Sequence, residues 1–165
     1  MLLFEGYAKG GVERVAVGID ELVIAPEYRS EPAARLTQDE TVELRDGGGG
    51  TPHVVLIGAA DRLWVTVGID HGPRKPIARV AWRFEEVEPH WGQLRLGDVP
   101  LATLRAPRDL ILGWKGSKRL PVGVAMFAGA APAGTGERFD GELVDPVLGR
   151  AIKHSYYVRR SPILA

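Results

Sequence analysis

Short apolar runs separated by glycine and proline recur along the whole chain. Within residues 77–88, Val80, Trp82 and Phe84 alternate with positions that are mostly charged, which is the period-two pattern of a strand with one buried face. A continuous apolar run within residues 53–58 is typical of a strand covered on both faces. The pattern therefore predicts a β-rich protein with residues 53–58 in the centre of a sheet.

The spacing of these runs predicts the fold class. Glycine (21 residues) and proline (12 residues) interrupt the chain too often for long helices, and strands that follow one another every ~8–12 residues are typical of sandwiches and barrels. We therefore expect a single all-β domain over residues 1–165, built as a sandwich or jelly roll, with a closed β-barrel as the alternative. At most one short helix is expected, over residues 30–37, where Ser30 can cap the first turn and Pro32 fits within it. The predicted strands cover 2–8, 12–19, 21–26, 41–46, 53–59, 62–69, 77–88, 93–96, 99–105, 109–114, 121–128, 142–147 and 150–159.

Composition narrows the class of protein further. The 165 residues fit one domain. The 21 Lys and Arg balance 21 Asp and Glu, so the chain has no global field that would hold nucleic acid. With 45% hydrophobic residues the composition is that of a globular protein, neither disordered nor membrane-spanning. The absence of cysteine excludes disulfides and thiolate metal sites.

Residue usage also bears on compartment and source. The sequence opens with MLLFE, without the basic region and long apolar core of a signal peptide, so we expect synthesis in the cytoplasm. Asparagine is absent and arginine far outnumbers lysine. Both features fit a thermophilic source, and both also fit a GC-rich genome.

One group of residues could form an interior site. Glu86, Glu88 and His90 share the parity of Trp82 and Phe84, so a strand that continued past Phe84 would place all five on its inward face. Two carboxylates and an imidazole there could bind a divalent cation or supply an acid and a base. The proline between Glu88 and His90 argues for an end to the strand, and a solvated run of charges explains the same pattern. The alternative hypothesis is therefore a β-barrel enzyme, or a small-ligand or metal binder, that uses these residues.

Other reactive residues lie outside the motifs that would give them a chemical role. No serine sits in a G-x-S-x-G elbow, and the tetraglycine at 47–50 lacks the Lys-Ser/Thr of a phosphate-binding loop. Residues 114–119 place cations beside a tryptophan, an arrangement that can bind single-stranded nucleic acid, but at zero net charge we expect an ion-pairing rim instead. The sequence therefore predicts no cofactor and favours a protein without catalytic activity.

Both ends of the sequence are apolar, with MLLF at the start and PILA at the end. Such ends can join the sheet of their own domain or dock on a neighbouring subunit. Our first hypothesis is therefore a non-enzymatic structural protein that forms a homo-oligomer or lattice with itself or with other assembly subunits, for example a virion capsid, decoration or tail component. Aromatic, aliphatic and arginine side chains would carry the contacts, and those expected to do so are Phe4, Tyr156, Tyr157, Arg159, Arg160, Ile163 and Leu164.

Overall fold

A computed structural model describes residues 1–45, 49–132 and 138–161, and most of them lie in strands. The strands are β1 (Leu2–Ala8), β2 (Gly11–Val17), β3 (Glu21–Ile24), β4 (Arg29–Glu31), β5 (Leu36–Thr37), β6 (Thr41–Arg45), β7 (Thr51–Gly58), β8 (Leu63–Asp70), β9 (Lys75–Pro76), β10 (Val80–Arg83), β11 (Arg95–Leu96), β12 (Val99–Pro100), β13 (Val124–Ala130), β14 (Arg138–Asp145) and β15 (Arg150–Ser161). Two short α-helices, α1 (Phe84–Val87) and α2 (Pro107–Gly113), and 3₁₀ turns at Ala33–Arg35, Glu88–Gln93 and Leu101–Thr103 complete the described elements.

Two sheets form the body of the protein. The larger has eight strands in the order β2-β1-β10-β8-β7-β13-β3-β4, and the smaller has five in the order β12-β11-β14-β15-β6. Most neighbours are antiparallel, but β1–β10, β13–β3 and β15–β6 are parallel. In the described residues neither sheet closes into a barrel, because strands with a single neighbour lie at both ends of each. The predicted all-β fold is confirmed and is consistent with a sandwich, whereas the closed barrel is not what forms.

Strand β7 lies inside the large sheet and is covered on both faces, as its continuous apolar run predicts. Val54 and Leu56 pack in a core shared with the smaller sheet, which includes β11, and with the two short helices. Val55 and Ile57 point to the other face, into a second core built by strands from both ends of the large sheet. The large sheet therefore curls around one core, and the smaller sheet covers the other.

The strand predicted over residues 77–88 is shorter than expected. Pairing in β10 stops at Arg83, and α1 begins at Phe84 and runs into a 3₁₀ turn. The reason is the spacing of the buried side chains: after Phe84 the next buried residue is Val87, three positions later, which fits a helical turn and not a strand. Two glutamates in the first turn of α1 are favourable there because they face the positive end of the helix.

The short helix expected over residues 30–37 forms only as a 3₁₀ turn, and both α-helices lie elsewhere. The segment forms the end of β4, a 3₁₀ turn at Ala33–Arg35 and β5. No residue of that turn is buried, so a helix there would have no apolar face to pack, and a short unpacked helix is not stable. In the described part of the chain, no helix is long and apolar enough to span a membrane.

The end of β7 is held by a close backbone crossing, which makes a prediction about stability. A Cβ atom at Gly58 would lie 2.2 Å from the carbonyl oxygen of Pro121, and Gly123 donates a 3.0 Å backbone hydrogen bond to Gly58. We expect Gly58→Ala to lower the free energy of unfolding by about 2–3 kcal/mol because the crossing must open. Gly10→Ala, whose Cβ would meet nothing within 4 Å, serves as the control and should change it by less than about 0.5 kcal/mol. Urea unfolding followed by circular dichroism measures both, and equal midpoints would contradict the expectation.

Candidate functional site

Three of the residues predicted for an interior site come together around Arg150: Trp82 lies on β10, whereas Glu86 lies on α1 and His90 on the turn after it. The ring nitrogen Nε2 of His90 lies 3.0 Å from Oδ1 of Asp145, at the end of β14. Arg150, at the start of β15, has its Nε 3.5 Å from the other oxygen of Asp145 and its Nη2 3.8 Å from Glu86. The guanidinium carbon of Arg150 lies 4.6 Å from the centre of the Trp82 ring. We call Glu86, His90, Asp145 and Arg150 the His90 network.

The His90 network joins three parts of the chain. Asp145 is fully buried, and its Oδ1 also accepts hydrogen bonds from the backbone N–H groups of Val147 and Leu148. Burial by itself raises the pKa of Asp145, but the hydrogen bonds from His90 and these two N–H groups outweigh it, so the pKa is lowered. The Glu86 carboxylate accepts the backbone N–H of Lys9 at 2.9 Å and 3.0 Å. The network therefore fastens the β14–β15 hairpin and the β1–β2 turn to α1.

Glu88 and Phe84, the other two residues predicted for that site, make different contacts. The Glu88 carboxylate binds Arg108 of α2 at 2.6 Å and 2.9 Å, and the guanidinium of Arg108 lies 5.4 Å from the centre of the Phe84 ring. Phe84 also packs edge-to-face on Trp91. Across the described residues, no three acidic or histidine side chains are grouped so as to hold a metal ion.

A buried lysine lies at the centre of a second charged cluster, which sequence reasoning missed. Lys75 is 0% exposed, and its ammonium group bonds to Asp70, to the carbonyl of Gly72 at 2.8 Å, and pairs with Glu31 at 2.9 Å. Burial by itself raises the pKa of Asp70, but the bonds from Lys75 and the Gly72 N–H lower it overall. Glu31 and Lys75 are too far apart in sequence for any local pattern to pair them. The signal that the sequence offers is a lysine next to the end of a predicted strand.

Three histidines lie in buried positions near this cluster. His71 bonds to the Tyr156 hydroxyl and, at 3.1 Å, to the carbonyl of Gly49, and burial raises the pKa of Tyr156. Nδ1 of His53 lies 2.7 Å from the carbonyl oxygen of Ala128, and burial lowers the pKa of His53. For His154, burial lowers the pKa to about 4, only partly offset by a hydrogen bond to the backbone of Pro76. His53 and His154 are therefore uncharged at neutral pH.

The residues predicted to carry contacts between subunits fall into three groups. Phe4 and Tyr156 are only 5% and 2% exposed; they pack on Trp64 and on His71 inside their own domain, so little of either side chain is left on its surface. Tyr157 and Arg159 have exposed side chains, and Arg159 lies 3.6 Å from Glu43. Only the backbone of Arg160 is described, paired with β6, while Ile163 and Leu164 lie outside the described residues.

The surface carries an open cleft of about 410 Å³. It lies between the β7–β8 turn, α1, α2 and the segment 118–122 that precedes β13. Its apolar lining is formed by Leu63, Phe84, Ile111 and Leu120 together with neighbouring alanine, proline and valine side chains. The charged lining consists of Asp61, Arg62, Glu85, Arg108, Lys118 and Arg119. We call this surface the basic cleft, because four of these six side chains are cationic.

The buried state of His154 predicts how stability changes with pH. Because the pKa in the folded protein, about 4, lies below the ordinary value of 6.5, the fold disfavours the protonated ring. The associated stability is fully present above pH 6.5 and is lost as the pH falls towards 4, by at most about 3 kcal/mol for this one group. We expect the fall in unfolding free energy between pH 7 and pH 4.5 to be smaller in His154→Leu than in the unsubstituted protein. Chemical denaturation at the two pH values tests this, and an unchanged fall would contradict it.

Comparison with known proteins places the chain in a family without supplying a function. No curated protein and no solved structure matches it. The model of one family, described as "Protein of unknown function (DUF2848)", matches residues 9–156. This match covers most of the chain, including the His90 network and the basic cleft but not β1, and the protein therefore belongs to the DUF2848 family.

Proposed function

We propose that this protein binds a small organic molecule in the basic cleft. The observation that carries the proposal is the cleft itself, whose volume of about 410 Å³ falls in the range typical of small-molecule sites, ~300–1,000 Å³. Its lining combines buried apolar side chains such as Phe84, Ile111 and Leu120 with exposed charged ones, so it can contact both an apolar body and a polar group.

The walls of the basic cleft are fixed by contacts made on their far sides. Phe84 is wedged between Trp91 and the guanidinium of Arg108. The 118–122 wall is anchored where Gly123 bonds to Gly58 and where Asp20 donates a 2.7 Å hydrogen bond to the carbonyl of Gly123. A concave apolar surface with fixed walls favours a ligand, because little ordering remains to be done when the ligand arrives.

A tryptophan placed in the basic cleft tests the proposal. The probe is 2-naphthol, a neutral aromatic molecule small enough for the cleft, added at millimolar concentration while backbone amide shifts are recorded by NMR. We expect shifts at residues that line the cleft, and we expect Ala60→Trp to abolish them because Ala60 is an exposed lining residue. Ala16→Trp, at an exposed alanine on β2 outside the lining, is the control and should retain them. Shifts spread over the whole surface, or none at all, would defeat the proposal.

Assembly remains a second candidate, with a different surface from the one expected. Leu3 and Val12 are 60% and 55% exposed and project from the same outward face of β1 and β2. Among the described strands β2 has one neighbour, β1, and an edge strand of this kind can accept a strand from a second copy. Under this candidate the protein is a cytoplasmically made subunit of a homo-oligomer or lattice, of which a virion component from a thermophilic source is one form.

Native mass spectrometry tests the assembly candidate. If the β1–β2 face joins two copies, the double variant Leu3→Ser, Val12→Ser should shift an oligomer to the monomer, because the buried apolar area is lost. Val147→Ser, at another exposed apolar position on the β14–β15 turn, should leave the oligomer intact. A monomer at high concentration without any substitution would exclude this candidate.

A further inference from the structure

The basic cleft holds more positive charge than its own carboxylates can balance. Both acidic side chains of the lining, Asp61 and Glu85, pair with one cation: Arg62 lies 3.2 Å from Asp61 and 3.1 Å from Glu85. Arg108 is bound through two hydrogen bonds to Glu88. Two of the four lining cations, Arg62 and Arg108, are thus paired with carboxylates, and the remaining positive charge comes from one segment.

That segment carries Lys118 and Arg119, two adjacent cations that both line the cleft. Both side chains are exposed, and neither makes an ion pair with any residue in the described ranges. In an extended chain, the side chains of two consecutive residues point to opposite sides. Lys118 and Arg119 can both line the cleft because the chain turns just before them. Ser117 supplies that turn: its N–H bonds to the carbonyl of Trp114 and its hydroxyl donates to the carbonyl of Arg119.

Two adjacent cations that have no ion pair in the described part of the chain, placed beside an apolar concave surface, have the physical properties of an anion site. Low-dielectric walls concentrate the field of charges at a cleft and raise the local concentration of counter-ions. Lysine and arginine N–H groups bind carboxylate and phosphate oxygens through charge-assisted hydrogen bonds. The apolar side chains of the lining bury apolar surface when the ligand has an apolar body.

We infer that the ligand of the basic cleft is a small organic anion, an apolar body carrying a carboxylate or phosphate group that Lys118 and Arg119 bind. This inference rests on the proposed function, since it names the chemical class of the molecule that the cleft takes. The apolar body lies against Leu63 and Ile111, and the anionic group lies at the 118–119 wall.

The experiment compares matched probes. 2-Naphthol and 2-naphthoate have the same ring system but differ in charge, and inorganic phosphate has charge without an apolar body. Dissociation constants are measured from NMR amide shifts of lining residues. We expect 2-naphthoate to bind about tenfold more tightly than 2-naphthol, which is the effect of one charge-assisted hydrogen bond, and we expect phosphate alone to bind more weakly than 2-naphthoate.

Substitutions then assign the preference to the two cations. In Lys118→Ala, Arg119→Ala the affinity for 2-naphthoate should fall to that for 2-naphthol, while the affinity for 2-naphthol stays unchanged. Lys115→Ala is the matched control: Lys115 belongs to the same loop, but its ammonium lies over the Trp114 ring and outside the lining, so the tenfold preference should persist. Circular dichroism confirms that each variant is folded.

The outcomes separate this inference from the proposed function. Equal affinities for 2-naphthol and 2-naphthoate would overturn the anion inference and leave the cleft as a binding site. Phosphate binding as tight as 2-naphthoate would overturn the requirement for an organic body. A preference that survives the double substitution would overturn the assignment to Lys118 and Arg119. Failure of every probe to shift the lining would overturn the proposed function itself.

Discussion

The burial of β7 and β8 on both faces is the constraint on which the other elements depend. From Val54 to Gly58 and from Trp64 to Ile69 every residue is buried, and two separate cores meet these strands from opposite sides. A sheet with two apolar faces must be covered twice. One cover is the curl of the large sheet itself; the other is the smaller sheet with α1, α2 and the 3₁₀ turns. The short helices are there because the smaller sheet does not reach across the whole face.

Two clusters of buried charged groups lie where the segments that cover the large sheet contact one another. Lys75 sits between Asp70 and Glu31 where β9 and β4 approach β8, and Asp145 sits between His90 and Arg150 where the hairpin meets α1. Charges taken out of water are tolerated only when they are paired. Both clusters therefore act as fasteners between segments that are distant in sequence, and loss of one member would leave its partner buried and uncompensated.

The sequence was sufficient for features that depend on local pattern. Alternating and continuous apolar runs identified an all-β fold and the central position of β7. The same parity argument failed beyond Arg83, because it cannot distinguish a strand from a helical turn when the apolar positions are as sparse as Phe84 and Val87. It placed Glu86 and His90 on one face for the wrong reason, and the α1 segment brings them together instead.

What the sequence could not supply were contacts between remote segments. Glu31 and Lys75 pair only because β4 and β9 are brought together by the topology, and the basic cleft is assembled from four separate stretches. The apolar start of the chain indicates a packed segment, but its periodicity carries no information on whether Phe4 packs within its own sheet or on another subunit. In the structure Phe4 contacts Trp64, from a strand two positions away in the sheet.

The position of α1 has a mechanical consequence. Its consecutive residues face in different directions: Phe84 and Glu85 form part of the cleft, while Glu86 is fastened to the Lys9 amide and lies beside Arg150. The floor of the cleft therefore cannot move without disturbing the fastening behind it. A surface held in this way is rigid before any ligand arrives, so the entropy of ordering it is lost during folding and not during binding. Under the proposed function, such a cleft would select among ligands by shape and charge, with little freedom to adapt to those that do not fit.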